Sequence, residues 1–364
     1  MYEKKTVLTA YISVFLVVLM FSTTNVSAST YTVGVKAGDW AGYGNICVEY
    51  AANWPGLEQE PPETNMSWVS MEILDVQYNN VTIRGSTIYA NGTEETEVIW
   101  GDLAIGEGKL NIAIIPSNLG TGDEIPAESY GLFFVIQPPP QGILNLFING
   151  TTTRKYAGAN REVNNINFSS PIILGNVTVG ESNMSYYWDK NTGVLCEHSV
   201  SSTMAYGTEL YINMSLLWRM TATNMWPAVF TVQDGYAFNV TMISNSTISD
   251  FDFSESQMYI SFNVTGPAGK AGYCNVTITN DLLQGNPWKI YVNSTDCTSL
   301  CSITGNDTHA FIYIPYTCST NIIKIEGTSA IPEFPSALIL PLFMILTMLA
   351  VNFAKKRIYQ KPAH

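Results

Sequence analysis

Asparagine is the residue whose spacing in this chain carries chemistry. The tripeptide Asn-x-Ser/Thr, the acceptor for N-linked sugar, occurs fifteen times, where random order would give about 5. Fourteen of these sequons lie between residues 29 and 334, at Asn65, Asn80, Asn91, Asn149, Asn167, Asn176, Asn183, Asn213, Asn239, Asn245, Asn263, Asn275, Asn293 and Asn306. Their setting is regular. In Leu210-Tyr-Ile-Asn-Met-Ser-Leu216 the apolar set is Leu210, Ile212, Met214 and Leu216, and Asn213 and Ser215 alternate with it. Asn263 alternates with Phe262 and Val264, and Asn275 with Cys274 and Val276. On a strand, successive side chains take opposite faces, so these asparagines are predicted on the wet face, where a glycan costs no core packing.

Six cysteines form the second set. Cys47 and Cys196 fall in the first half; Cys274, Cys297, Cys301 and Cys318 fall in the second. In an exported chain they are disulfide candidates. If pairing respects the two halves, Cys47 pairs with Cys196, and the other four allow three connectivities. Cys297-Thr-Ser-Leu-Cys301 can close a small loop. Metal binding needs Cys and His clustered at ligand spacing, and His309 is the one histidine near the second group, so no metal or cofactor is expected.

Catalytic constellations are absent from the sequence. There is no His-Glu-x-x-His, no Gly-x-Ser-x-Gly and no phosphate-binding loop of the Walker type. Between residues 29 and 334 the histidines are His198 and His309, and a Ser/His/Asp triad would have to use one of them. Asp250 and Asp252 are predicted on one strand face, and Asp123-Glu124 lies in a glycine-rich stretch. Neither shows a complete Ca²⁺ ligand spacing, so both read as solvated acidic surface. The eight tryptophans offer a carbohydrate platform on one reading. Trp188 and Trp218 share parity with Tyr186 and Leu216, however, which places most of them in the core.

The elements that position these residues are strands. The pattern is period 2 almost throughout, broken by turn residues. Trp68–Tyr78, Val81–Ala90 and Thr93–Trp100 read as a meander with a two-residue turn at Asn91-Gly92. Tyr186–Asp189 and Val194–Cys196 flank the turn Lys190–Gly193. A long strand follows from Thr208 to Thr223. Beyond Trp226-Pro227 come strands at Phe230–Val232, Tyr236–Ile243, Ile248–Phe253, Gln257–Thr265, Tyr273–Thr279, Lys289–Asn293, Ala310–Tyr316 and Asn321–Glu326, with one helical turn at Asp281–Gln284. Seven or eight short strands in such a span are the pattern of a β-sandwich. The fold class is therefore all-β: two antiparallel, sandwich-like domains at 29–226 and 227–328, the first a sandwich or a curved half-barrel, plus one C-terminal transmembrane helix.

The ends place the body. Lys4 and Lys5 precede the apolar run Val7–Phe21, and Val26-Ser27-Ala28 has small residues where a signal peptidase reads, so 1–28 is predicted to be a signal peptide cleaved after Ala28. Ser336 to Ala354 is an uncharged stretch of nineteen residues, about 28 Å as a helix and close to a hydrocarbon core of about 30 Å. Lys355, Lys356 and Arg357 begin a basic cytoplasmic tail, 355–364. Residues 29–334 hold 29 acidic and 11 basic residues, so 29 minus 11 leaves that stretch near −18. Such a surface repels nucleic acid and anionic lipid, which excludes a nucleic-acid-binding role.

Pro332, Glu333, Phe334 and Pro335, followed by the apolar helix and the Lys-Lys-Arg tail, resemble the PEF-CTERM class of archaeal surface proteins. The resemblance covers about 30 residues and implies sorting, with cleavage and lipid transfer, by an archaeosortase, within the linker 329–335 and the helix after it. Tyr31–Trp40, Tyr156–Ala159, Tyr187–Val194 and Ile260–Pro267 resemble segments of multi-strand archaeal envelope proteins. That likeness implies location rather than chemistry, and the cysteines are no part of it. The expectation is a glycosylated, membrane-anchored structural or binding protein of an archaeal envelope, with the membrane, an S-layer or an extracellular ligand as partner, and not an enzyme. A carrier gripping an apolar ligand in the first domain and a cell-surface hydrolase are the alternatives.

Overall fold

The computed structural model describes residues 31–53, 62–110, 113–126, 146–174, 176–207, 210–234, 236–330 and 343–350. The predicted signal peptide, the sorting motif at Pro332, Glu333 and Phe334, the basic tail and most of the predicted span lie outside them, as do Trp54 and Pro138–Pro140. Residues 343–350 are helical, with the Thr347 hydroxyl donating to the Phe343 carbonyl at 2.8 Å. Among the described residues no helix is long and apolar enough to cross a membrane.

The fold is mostly β. The first unit comprises β1 (Trp40–Ala52), β2 (Met66–Gln77), β3 (Asn80–Tyr89), β4 (Glu94–Asp102), β5 (Glu124–Ile125), β6 (Leu146–Phe147), β7 (Gly150–Tyr156), β8 (Ala159–Leu174), β9 (Val177–Asp189), β10 (Leu195–Tyr206) and β11 (Leu210–Thr223). Nine of these form one antiparallel sheet in the order β4-β3-β2-β1-β11-β10-β9-β8-β7, so two meanders join where β1 pairs with β11. Strands this long need a covered face. The connection between β4 and β7 supplies the cover with Ile115, Leu119, Ile125, Leu146 and Ile148, which pack with Tyr186, Trp188, Leu216 and Trp218. Burying each such side chain contributes about 1.5–3 kcal/mol.

The second unit comprises β12 (Ala228–Asp234), β13 (Tyr236–Ser244), β14 (Thr247–Ser254), β15 (Tyr259–Thr265), β16 (Ala271–Thr279), β17 (Leu283–Gln284), β18 (Lys289–Val292), β19 (Thr295–Asp296), β20 (Ser302–Gly305), β21 (His309–Thr317), β22 (Thr320–Glu326) and β23 (Ser329–Ala330). Two five-stranded sheets, β12-β13-β16-β21-β20 and β14-β15-β22-β18-β19, bury their inner faces in one apolar cluster. Val240, Val276 and Ile314 from the first sheet meet Ile260, Phe262 and Ile325 from the second. These residues alternate with polar ones, so the period-2 pattern becomes a one-sided strand.

Three local expectations change. The β3–β4 turn is a three-residue loop, Ala90-Asn91-Gly92, closed by Tyr89 N–H to the Thr93 carbonyl at 3.0 Å. Gly92 alone in it takes a positive φ, 83°, the hairpin with a left-handed third residue. Asp281 and Leu282 form a turn that leads into β17, Leu283–Gln284, rather than a helical turn. A bulge between Ser249 and Asp252, with Asp250 at φ 51°, breaks the simple alternation there.

The two units meet end to end. β11 stops at Thr223 and β12 starts at Ala228, so Trp226-Pro227 is the connection. The turn between β15 and β16 touches the first unit, where Lys270 reaches Glu94 at 2.6 Å. From there β22 runs away from the junction, Thr320 pairing with Thr265 and Glu326 with Tyr259. Seven strand residues carry the chain about 20 Å, and β23 then pairs with β17 beyond it. The chain therefore leaves Ala330 at the pole opposite the first unit.

Candidate functional site

The most highly organised polar side chains lie at this junction. Arg161, on β8, bonds the Asp189 carboxylate of β9 through both Nε at 2.7 Å and Nη2 at 3.1 Å. Asp189 is 1% exposed, and Thr192 adds bonds from its N–H and hydroxyl at 2.8 and 2.9 Å. The Arg161 guanidinium sits 4.4 Å from the centre of the Trp226 ring, and the Trp226 N–H donates to the Tyr156 carbonyl at 3.2 Å. Glu197, 6% exposed, accepts from Arg154 at 2.8 Å and the Tyr156 hydroxyl at 3.2 Å, with Arg219 at 3.6 Å. Buried charges persist only when paired and hydrogen-bonded, and here each is. The network pins the residue that ends the first unit.

Two clefts flank that joint. One, of about 330 Å³, runs between Trp40, Trp68 and Ile88 on the first unit and Pro267, Lys270 and Tyr273 on the second. Its floor carries the ion pair Arg84–Glu72 at 2.8 Å. Trp68 lies flat on β1 because Gly42 and Gly44 are there: a Cβ at either would come within 2.5 and 2.9 Å of the indole. Trp40 and Tyr273 face this cleft from opposite sides of the joint. The other cleft, of about 510 Å³, is lined by Lys155, Asn160, Phe230 and Phe251, with the two phenylalanines stacked at 4.8 Å. Aromatic faces and an ion pair line the first cleft, and a stacked aromatic pair lines the second.

The sequence-predicted residues fall into distinct environments. Of the fourteen sequon asparagines, twelve are exposed, and Asn245 and Asn263 are half-buried. Asn245 is bound through both amide atoms, donating to the Ala271 carbonyl and accepting from Tyr273 N–H at 2.9 Å each. Asn263 donates to Asp250 at 2.7 Å. All six cysteines are free thiols. The expected pairing of Cys47 with Cys196 is corrected by topology: β11 lies between their strands, a separation of about 10 Å, and bridging needs Cα atoms within about 7 Å. Cys47 is also exposed while Cys196 is buried. In the second unit Cys297 and Cys301 come together with their sulfurs 4.0 Å apart, and burial pushes the Cys301 thiol up to about 12. Cys274 and Cys318 are buried separately, the latter 3.5 Å from the Ser246 hydroxyl.

The histidines separate in kind. His198 is 2% exposed and stacks on Tyr186 at 4.3 Å; burial lowers its pKa to about 4. His309 is partly exposed, its Nδ1 at 2.8 Å from the Thr308 hydroxyl. Asp250 and Asp252 do not form a carboxylate pair, because the bulge sends Asp250 to Asn263 and Asp252 to the Tyr259 hydroxyl at 3.2 Å. Among the described residues no group of three or more His, Cys, Asp or Glu could hold a metal. Trp68, Trp188, Trp218 and Trp226 are core residues, whereas Trp100 is 49% exposed. Sequence reasoning missed the junction network. Its visible signal was that three of the four arginines between residues 29 and 334, Arg154, Arg161 and Arg219, fall within one meander. No protein-family model, curated protein or solved structure matches the chain.

Proposed function

We propose that this chain is a membrane-anchored, N-glycosylated structural or binding protein of an archaeal cell envelope. Two β modules, the second a β-sandwich, stand outside the membrane in a column. The C-terminal helix from Ser336 to Ala354, or a lipid transferred at Pro332–Phe334 by an archaeosortase, holds the column down. Its mechanism is anchorage and presentation: the apolar tail makes release into water costly, and the braced junction holds the clefts in fixed relation for an S-layer or extracellular ligand.

The observation that carries this reading is the placement of the sequons: twelve of the fourteen asparagines are exposed, among them Asn213 and Asn275 on strands whose alternate residues are core. The exit of the chain at the pole opposite the first unit supports the column: a tether leaving from Ala330 would hold the second unit nearer the bilayer than the first. The carrier alternative is opposed by Ile115, Leu119, Ile125, Leu146 and Ile148, which occupy the apolar side of the nine-stranded sheet. The hydrolase alternative is opposed by His198, which is buried against Tyr186, and by Asp250 and Asp252, which serve separate partners.

Intact-mass analysis of protein purified from native membranes tests the proposal. The expected result is loss of residues 1–28 and added mass that chemical deglycosylation removes. An unmodified full-length mass contradicts it.

A further inference from the structure

Single exposed aromatic side chains are ordinary, but exposed apolar side chains that cluster at one kind of place mark an interaction. Among the described residues of the two units, seven aromatic side chains are more than 40% exposed, and six of them border a sequon. Tyr78, Phe147 and Tyr211 each stand two residues before a sequon asparagine: Asn80, Asn149 and Asn213. Trp100 is the cross-strand partner of Thr82, the hydroxyl residue of the Asn80 sequon. Tyr313 and Phe311 are the cross-strand partners of Asn275 and of its Thr277. Tyr206 is the exception. The sequence carries the same signal. An aromatic residue stands at the −2 position of six of the fourteen sequons, those of Asn80, Asn91, Asn149, Asn213, Asn275 and Asn293. The chain's 12% aromatic content predicts about 2.

We infer that these aromatic rings are shelves for the chain's own N-linked sugars, and that Asn275 is the site where the shelf is best built. The inference rests on the glycosylation proposed above and gives the exposed rings a partner. Asn275 is exposed on β16. Tyr273, two residues earlier, shares its face, and Tyr313 lies directly opposite on β21. Their rings are 6.2 Å apart and 22° from parallel. Phe311 extends the shelf opposite Thr277. A pyranose has C–H groups on its faces and hydroxyls on its rim. The electron-rich face of an aromatic ring accepts the first while leaving the second in water. Modification forms a bond from Asn275 Nδ2 to the anomeric carbon of a lipid-phosphate-linked sugar donor. The anomeric C–O bond breaks, the lipid phosphate leaves with the electron pair, and the amide gives up one proton. The first sugars then lie within reach of Tyr273, Tyr313 and Phe311, covering apolar surface that is otherwise wet.

The test is a cycle in the full chain expressed in its native host, with Tyr313→Ser, Thr277→Val and both together. Thr277→Val removes the sequon while keeping Asn275 and a strand-forming residue. Peptide mass spectrometry reads occupancy and thermal melting reads stability. The expected result is an occupied Asn275, with Tyr313→Ser lowering Tm by about 4 °C in the glycosylated protein and by about 1 °C or less in the Thr277→Val background. Equal lowering in both backgrounds overturns the shelf and leaves the glycosylation reading standing. An unmodified Asn275 beside other occupied sequons likewise overturns the shelf alone, and an unmodified chain overturns both.

Discussion

His198 gives the first unit a calculable response to acid. Its imidazole is 2% exposed, stacks on Tyr186 at 4.3 Å, and its Nε2 has no hydrogen-bond partner among the described residues. Burial lowers its pKa to about 4, against about 6.5 in an unfolded chain. Between those values the unfolded state binds a proton that the folded state refuses, so stability falls as pH drops. The contribution of this group is constant above about pH 7, about 2.5 kcal/mol smaller at pH 4.5, and about 3 kcal/mol smaller below pH 4. His198→Leu removes the titration while keeping an apolar side chain of similar volume. Urea denaturation of the full chain in detergent, followed by tryptophan fluorescence at pH 7.5 and pH 4.5, reads the difference. Carboxylates titrate equally in both proteins, so the wild type should lose about 2.5 kcal/mol more than the variant on acidification. Identical losses in the two proteins would refute the assignment of His198 as a buried neutral group.

Three further outcomes rest on the geometry. Arg161→Met leaves the Asp189 carboxylate buried without its partner and should cost about 3 kcal/mol or more, with a red shift of Trp226 emission; an unchanged denaturation midpoint would show that the joint is not braced there. Treatment with a small-molecule disulfide should join Cys297 to Cys301, two electrons and two protons passing to the reagent, which leaves as two thiols; stability should rise by about 2 kcal/mol, and Cys301→Ser should abolish both the mass change and the gain. Lys270→Ala removes an exposed pair across the joint, and its effect should stay under about 1 kcal/mol at low salt and vanish at about 1 M.

Much of the fold was legible because its strands bury one face. The pattern around Leu210–Leu216 and Phe262–Val264 alternates without interruption, and those segments are β11 and β15. The features that escaped depend on strand order. Nothing local announces that β1 pairs with β11, and that pairing is what separates Cys47 from Cys196. The bulge at Asp250 needs a positive φ at a non-glycine residue, which a two-residue period cannot encode. The Arg161–Asp189–Trp226 stack joins residues from three segments, so its chemistry was visible only as composition. The aromatic residues beside sequons show the converse: Tyr273 and Asn275 share a face by sequence alone, while the contribution of Tyr313 needed the β16–β21 register.

The central claim is that residues 31–330 stand outside the cell and are tethered by the segment C-terminal to Phe334. Adding protease to intact cells in mild denaturant, then probing with one antibody against the second β unit and another against the last ten residues, tests it most directly. The account predicts that the β units are digested while the cell remains sealed, and that any uncleaved basic tail stays protected inside. Full protection of the β units until the cells are lysed would contradict it.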